Sequence, residues 1–172
     1  MSMEKHEEKQ TADKIETQYD KYVSQFQDLL ASSQKKGREG MEAAIAAARE
    51  NLTALGEINT EQGKLFSEYL KRDLAQTSKD MQHLGTEAQD RLNPSRIGAG
   101  ALAATTEALR LFGHTLINLS DKTSEAITYN VGEVTSAGTL ICLKCRARTR
   151  LKKTTHIEPC LECSGTIFHK TY

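Results

Sequence analysis

All four cysteines of this chain fall in two Cys-x2-Cys pairs, Cys142/Cys145 and Cys160/Cys163, with fourteen residues between the pairs. Two residues between cysteines allow a tight turn to aim both sulfurs at one ion, and two such turns complete a closed tetrahedral set. Short strand-like stretches flank them. Thr139-Leu140-Ile141 enters the first pair, Pro159 stiffens the approach to the second, and Ser164-Gly165 turns the chain into Thr166-Ile167-Phe168. About 35 residues cannot bury enough surface to fold unaided, so bound metal has to supply most of the folding energy. The expectation is one structural Zn2+ held by Cys142, Cys145, Cys160 and Cys163 in a zinc ribbon. Two disulfides or a rubredoxin-like iron site remain alternatives, although iron wants a shielding aromatic cluster that the tail lacks. His156 and His169 lie in the same segment, but the cysteine set is complete without them. Four thiolates also leave no open coordination position, which argues against a catalytic metal.

The rest of the chain reads differently. Its only prolines are Pro94 and Pro159, it has no Trp, and 38% of its residues are hydrophobic, below the roughly 45–50% of ordinary globular domains. Ile15, Tyr19, Tyr22, Phe26 and Leu29 recur at helical spacing, as do Met41, Ile45, Ala48, Leu52 and Leu55. Gly37 and Gly40 mark a bend between these stripes, and the second helix ends near Gly56. Asn59 followed by Gln62 resembles a helix start, leading into Phe66, Leu70, Leu74, Thr77, Met81, Leu84 and Ala88. Asn93-Pro94 then punctuates the chain before a fourth stripe, Ile97, Ala101, Ala104, Ala108, Leu111, Thr115 and Leu119. The predicted fold is mainly α: an elongated antiparallel, coiled-coil-like helical hairpin or bundle, followed by a small β zinc ribbon. The boundaries expected are a frayed segment 1–10, a helical domain 11–127, a linker 128–137 and the ribbon 138–172.

The formal net charge is zero, but it is unevenly distributed. From Gly138 onward seven basic residues face Glu158 and Glu162, giving +5 against −5 for the remainder; a zinc tetrathiolate lowers the tail to +3. Arg146, Arg148, Arg150 and Lys152 alternate with Ala147, Thr149 and Leu151, and Lys153 follows. In a strand these four cations would share one face at about 6.5–7 Å intervals. The row is open to three readings: a solvated edge strand that discourages aggregation, a track along RNA or DNA phosphates, or a surface docking on acidic helices, its own or a partner's. Against a membrane role, MSMEKHEEKQ has no signal-peptide core, and Ile97 to Leu119 is broken by Glu107, Arg110 and His114. A soluble cytoplasmic protein is expected.

No catalytic motif emerges. Ile97-Gly98-Ala99-Gly100 lacks both a preceding strand and the full glycine spacing of a phosphate loop. His83 and His114 read as surface or packing residues, and Asp73, Asp80, Glu87 and Asp90 as solvated helix positions. Gly56-Glu57-Ile58, Thr60-Glu61, Lys71-Arg72-Asp73-Leu74, Asp121-Lys122-Thr123, Gly132-Glu133-Val134, Gly138-Thr139-Leu140 and the four cysteines together resemble the YbeL-like family of bacterial zinc-ribbon proteins. The stretch from Gly-Glu-Val into the first cysteine pair is the most specific, and 94–120 departs most. The resemblance implies helices followed by a ribbon and supplies no activity. The chain is therefore expected to be a non-enzymatic helical adaptor or regulator. Its ribbon would make a macromolecular contact, and its helices would mediate self-association or protein binding. A nucleic-acid-binding accessory factor is the alternative, with no small-molecule substrate in either case.

Overall fold

A computed structural model describes residues 2–34, 37–83 and 127–171. The first helix, α1 (Ser2–Ser32), is built from Glu, Lys, Gln and Ala with no Gly or Pro, residues that lose little freedom in a helix. It begins at Ser2, ahead of residue 11. The second helix, α2 (Gly37–Ala54), ends where Gly56 adopts φ 70°. There the Glu57 amide donates to the Leu52 carbonyl at 3.0 Å and the Gly56 amide to Thr53 at 3.1 Å. This pair of bonds satisfies carbonyls that a helix end leaves orphaned, and a glycine accepts the left-handed turn without a Cβ penalty. The third helix, α3 (Thr60–His83), opens on a reciprocal cap. The Gln62 amide donates to Asn59 Oδ1 at 2.8 Å, and the Asn59 amide to Gln62 Oε1 at 3.0 Å.

The three helices share one core. Tyr19, Tyr22, Val23 and Phe26 from α1 meet Met41, Ala44, Ile45, Ala48 and Leu52 from α2 and Phe66, Leu70 and Leu74 from α3. Tyr19 meets Phe66 edge-on at 5.4 Å between ring centres, and the buried Tyr22 hydroxyl donates to the Ile45 carbonyl at 3.0 Å. Each fully buried side chain of this size contributes about 1.5–3 kcal/mol, so a narrow helical stripe suffices. Leu55, expected to continue the α2 stripe, is instead 72% exposed, because the Gly56 turn carries the chain away from the core and Ile58 packs in its place. Leu84, Ala88, Asn93-Pro94, His114 and the whole fourth stripe lie outside the described residues.

The remaining chain forms β1 (Tyr129–Asn130), β2 (Val134–Thr135), β3 (Gly138–Cys142), β4 (Arg148–Leu151), β5 (Thr155–His156) and β6 (Ile167–Thr171). Four of these make an antiparallel sheet in the order β1-β6-β3-β4; β2 and β5 pair separately. The stretch 128–137, expected as a linker, thus contains two paired strands. Tyr129 lies opposite Phe168, and Val134 opposite His156. Its apolar residues explain why: Tyr129 is fully buried in the ribbon core, and Val134 inserts into the helical core. One face of the larger sheet carries Leu140 and Cys142 opposite Lys170 and Phe168, all buried. The other carries Thr139, Ile141, Arg148 and Arg150, by register.

Candidate metal centre

Each cysteine pair sits on a tight turn, and the two turns repeat one hydrogen-bond pattern. In the first, the Cys142 amide donates to the Ala147 carbonyl at 2.9 Å and the Arg146 amide to the Cys142 carbonyl at 2.9 Å. In the second, Cys160 donates to Gly165 at 2.9 Å and Ser164 to Cys160 at 2.8 Å. The residue after each second cysteine is left-handed, Arg146 at φ 64° and Ser164 at φ 53°. This conformation costs a non-glycine residue about 1–2 kcal/mol. Gly165 is required for a different reason. A Cβ there would lie 2.8 Å from Cys142 Sγ and 3.2 Å from Cys163 Sγ, so the second turn closes onto the sulfurs only because that position has no side chain.

The four sulfurs lie within 4.8 Å of one another, with Cys142 to Cys163 and Cys145 to Cys160 each at 3.6 Å. A disulfide needs about 2.05 Å. A tetrahedron with Zn–S bonds of about 2.3 Å has edges of about 3.8 Å. The spacing is thus that of one structural Zn2+. The electrostatics agree. The Cys145 amide foremost, with the Lys144 amide and neighbouring thiols, draws Cys142 down to about 7 against the cost of burial. Cys145 goes the other way: the Ala147 amide lowers it, but the crowded sulfurs of Cys163, Cys160 and Cys142, together with burial, push it up to about 12. Cys142 thus gives up its proton readily and Cys145, beside the other sulfurs, holds its own; a divalent cation offsets the crowding of negative charge at such a site. His169 Nδ1 faces the Ile127 carbonyl at 3.3 Å and the His156 amide donates to Glu16 at 2.9 Å; neither histidine belongs to the thiol cluster.

The ribbon is fastened to the helices by polar groups. Lys170, fully buried, donates to Thr135 Oγ1 at 2.8 Å and to the Ser136 carbonyl and hydroxyl at 2.9 Å each, with Asp73 at 3.5 Å. Asp73 accepts from the Thr135 and Ser136 hydroxyls and from the Ser136 amide. Burial drives Lys170 down to about 8, opposed mainly by Asp73. Beside it, Arg72 pairs with Glu133, donates to the Val134 carbonyl at 3.1 Å and stacks 4.0 Å over Tyr129. Asp73, expected as a solvated helix position, is buried. Its place on α3 beside Leu74 was the available hint, since a carboxylate on the apolar side of a helix has to find donors. Lys71-Arg72-Asp73-Leu74 and Gly132-Glu133-Val134, two of the segments that carry the family resemblance, face each other across this seam.

The basic residues separate into two groups. Lys153 bonds Glu16 of α1 at 3.0 Å. Arg148 and Arg150 lie exposed on β4, at the edge of the sheet. Arg146 belongs to the first cysteine turn and Lys152 follows the strand, so the expected row of four alternating cations contracts to two within β4. Among the described residues, none of Arg146, Arg148, Arg150 and Lys152 makes an ion pair.

Residues 28–172 match the family described as the zinc-ribbon containing domain, and the chain belongs to that family. No curated protein and no solved structure matches the chain.

Proposed function

We propose that this member of the zinc-ribbon family is a YbeL-like, non-catalytic cytoplasmic adaptor or regulator, whose helices hold a zinc-clamped ribbon against a macromolecular partner. The observation that carries this reading is the division of the ribbon's cations. Lys153 and Lys170 are engaged with Glu16 and Asp73, whereas Arg148 and Arg150 face outward from an edge strand. Two exposed leucines support a protein partner: Leu143 and Leu161 occupy the same position in the two cysteine turns, at 43% and 88% exposure. Apolar tips beside cations suit a protein surface better than a phosphate backbone. A tetrathiolate zinc with no open position supports a role without catalysis. No described helix is long and apolar enough to cross a membrane.

The second reading, a nucleic-acid accessory factor, draws on the same two arginines, which share a strand face at phosphate-like spacing. With two phosphate contacts, log K would fall against log salt with a slope of only about −1.4 to −1.8. Cross-linking in cells, followed by identification of both bound protein and bound RNA or DNA, tests the pair of readings. The adaptor reading expects protein cross-links that are lost in R148E/R150E while zinc content is unchanged. Cross-links indifferent to those arginines would contradict contact through this face of the ribbon. Nucleic acid as the dominant product would replace the first reading by the second.

A further inference from the structure

The two edges of the ribbon sheet differ. At the β1 edge, the outward backbone groups of Asn130 are closed internally: its amide donates to Glu133 Oε2 at 2.9 Å and its carbonyl accepts the Glu133 amide at 3.2 Å. At the β4 edge the phase of the ladder follows from one bond. Cys142 lies opposite Ala147 and donates to it. Since bonded and non-bonded pairs alternate in an antiparallel ladder, Leu140–Thr149 is bonded, and Ile141–Arg148 and Thr139–Arg150 are not. The amides and carbonyls of Arg148 and Arg150 therefore point away from β3, and no hydrogen bond from them occurs among the described residues. The two residues that offer this backbone edge are also two whose guanidinium groups make no ion pair among the described residues.

Resting on the proposed ribbon contact, we propose that β4 is a strand-addition site for an extended acidic segment of a protein partner. Its backbone pairs with Arg148 and Arg150, and its alternate carboxylates lie beside their side chains. Strand addition takes affinity from main-chain bonds and selectivity from alternate side chains; both are supplied here by adjacent positions of one strand. A second copy of this chain fits poorly. Antiparallel β4-to-β4 pairing sets arginines against arginines, and like charges facing one another across strands are unfavourable. An acidic strand reverses the sign of that interaction. Leu143 and Leu161, exposed at the neighbouring cysteine turns, would favour apolar residues at one end of the segment.

The test uses the full zinc-loaded chain with amide NMR and a short capped peptide alternating glutamate with threonine. The expected result is binding that weakens with salt, with the largest shifts at the Arg148 and Arg150 amides. It should weaken about tenfold in R148E/R150E, a loss in keeping with two exposed charge pairs. A peptide N-methylated on the amides that face β4 should not bind, while one methylated on the opposite set should. Equal binding of both methylated peptides would overturn strand addition but leave contact through the ribbon intact. Shifts at β4 caused by single-stranded RNA and not by the peptide would overturn the acidic-segment proposal alone. Peptide shifts confined to the helices, with RNA also leaving the ribbon unshifted, would overturn both this proposal and the ribbon contact beneath it.

Discussion

Gly165 is the residue on which closure of the metal site depends. Its absent Cβ leaves room for two sulfurs, and the nearest of them, Cys142 Sγ, cannot withdraw without leaving the tetrahedron. Gly165→Ala should weaken zinc binding by about tenfold to a hundredfold, the scale of forced overpacking at about 1–3 kcal/mol. Competition with a chelator of known affinity measures this, and unchanged affinity would show that the second turn has slack. Lys170 offers a second measurement. Its folded value of about 8 lies below the ordinary 10.5, so between those limits the unfolded chain holds the proton more often. Stability therefore rises with pH across that window, by on the order of 3 kcal/mol if the full shift is expressed; the contribution is complete above the ordinary value and lost as pH falls through 8. Denaturant unfolding of zinc-loaded protein should show the rise, and Lys170→Met should flatten it. An equal slope in the variant would assign the titration to another group.

At the scale of elements, the legible features were those with a local cause. Helical stripes follow from periodicity, the α2 stop from Gly56, and the α3 start from Asn59 and Gln62, each readable within a few residues. Asn59→Ala removes the acceptor for the Gln62 amide and should cost about 1 kcal/mol. Thermal unfolding reads the loss, and a neutral effect would mean that water replaces the cap. What the sequence did not disclose were pairings between distant residues. Tyr129 against Phe168, Thr135 with Asp73 and Lys153 with Glu16 join segments whose separation leaves no periodic trace. For that reason 128–137 reads as a linker although it carries β1 and β2, and Asp73 reads as solvated although it anchors the ribbon. The alternating cations were likewise visible in sequence. That only two of them share β4 depends on where the cysteine turn hands over to the strand.

At the scale of the molecule, the zinc-ribbon region and the helices form a coupled structure. Val134 packs in the helical core, and Asp73 of α3 is satisfied by Thr135 and Ser136, with Lys170 of β6 beside it. The −5 and +5 halves of the charge distribution meet at two of these points, Glu16 with Lys153 and Asp73 with Lys170, so part of the tail's positive charge is spent internally. Metal then stabilises more than its own site: without it the ribbon lacks a sufficient core, and Asp73 loses the donors that make its burial tolerable. Native mass spectrometry of the chain purified under reducing conditions is the most direct test of this account. It should find one zinc per chain, lost when Cys142, Cys145, Cys160 and Cys163 are replaced by Ser. Iron in place of zinc, a metal-free folded chain, or the mass of two disulfides would contradict it.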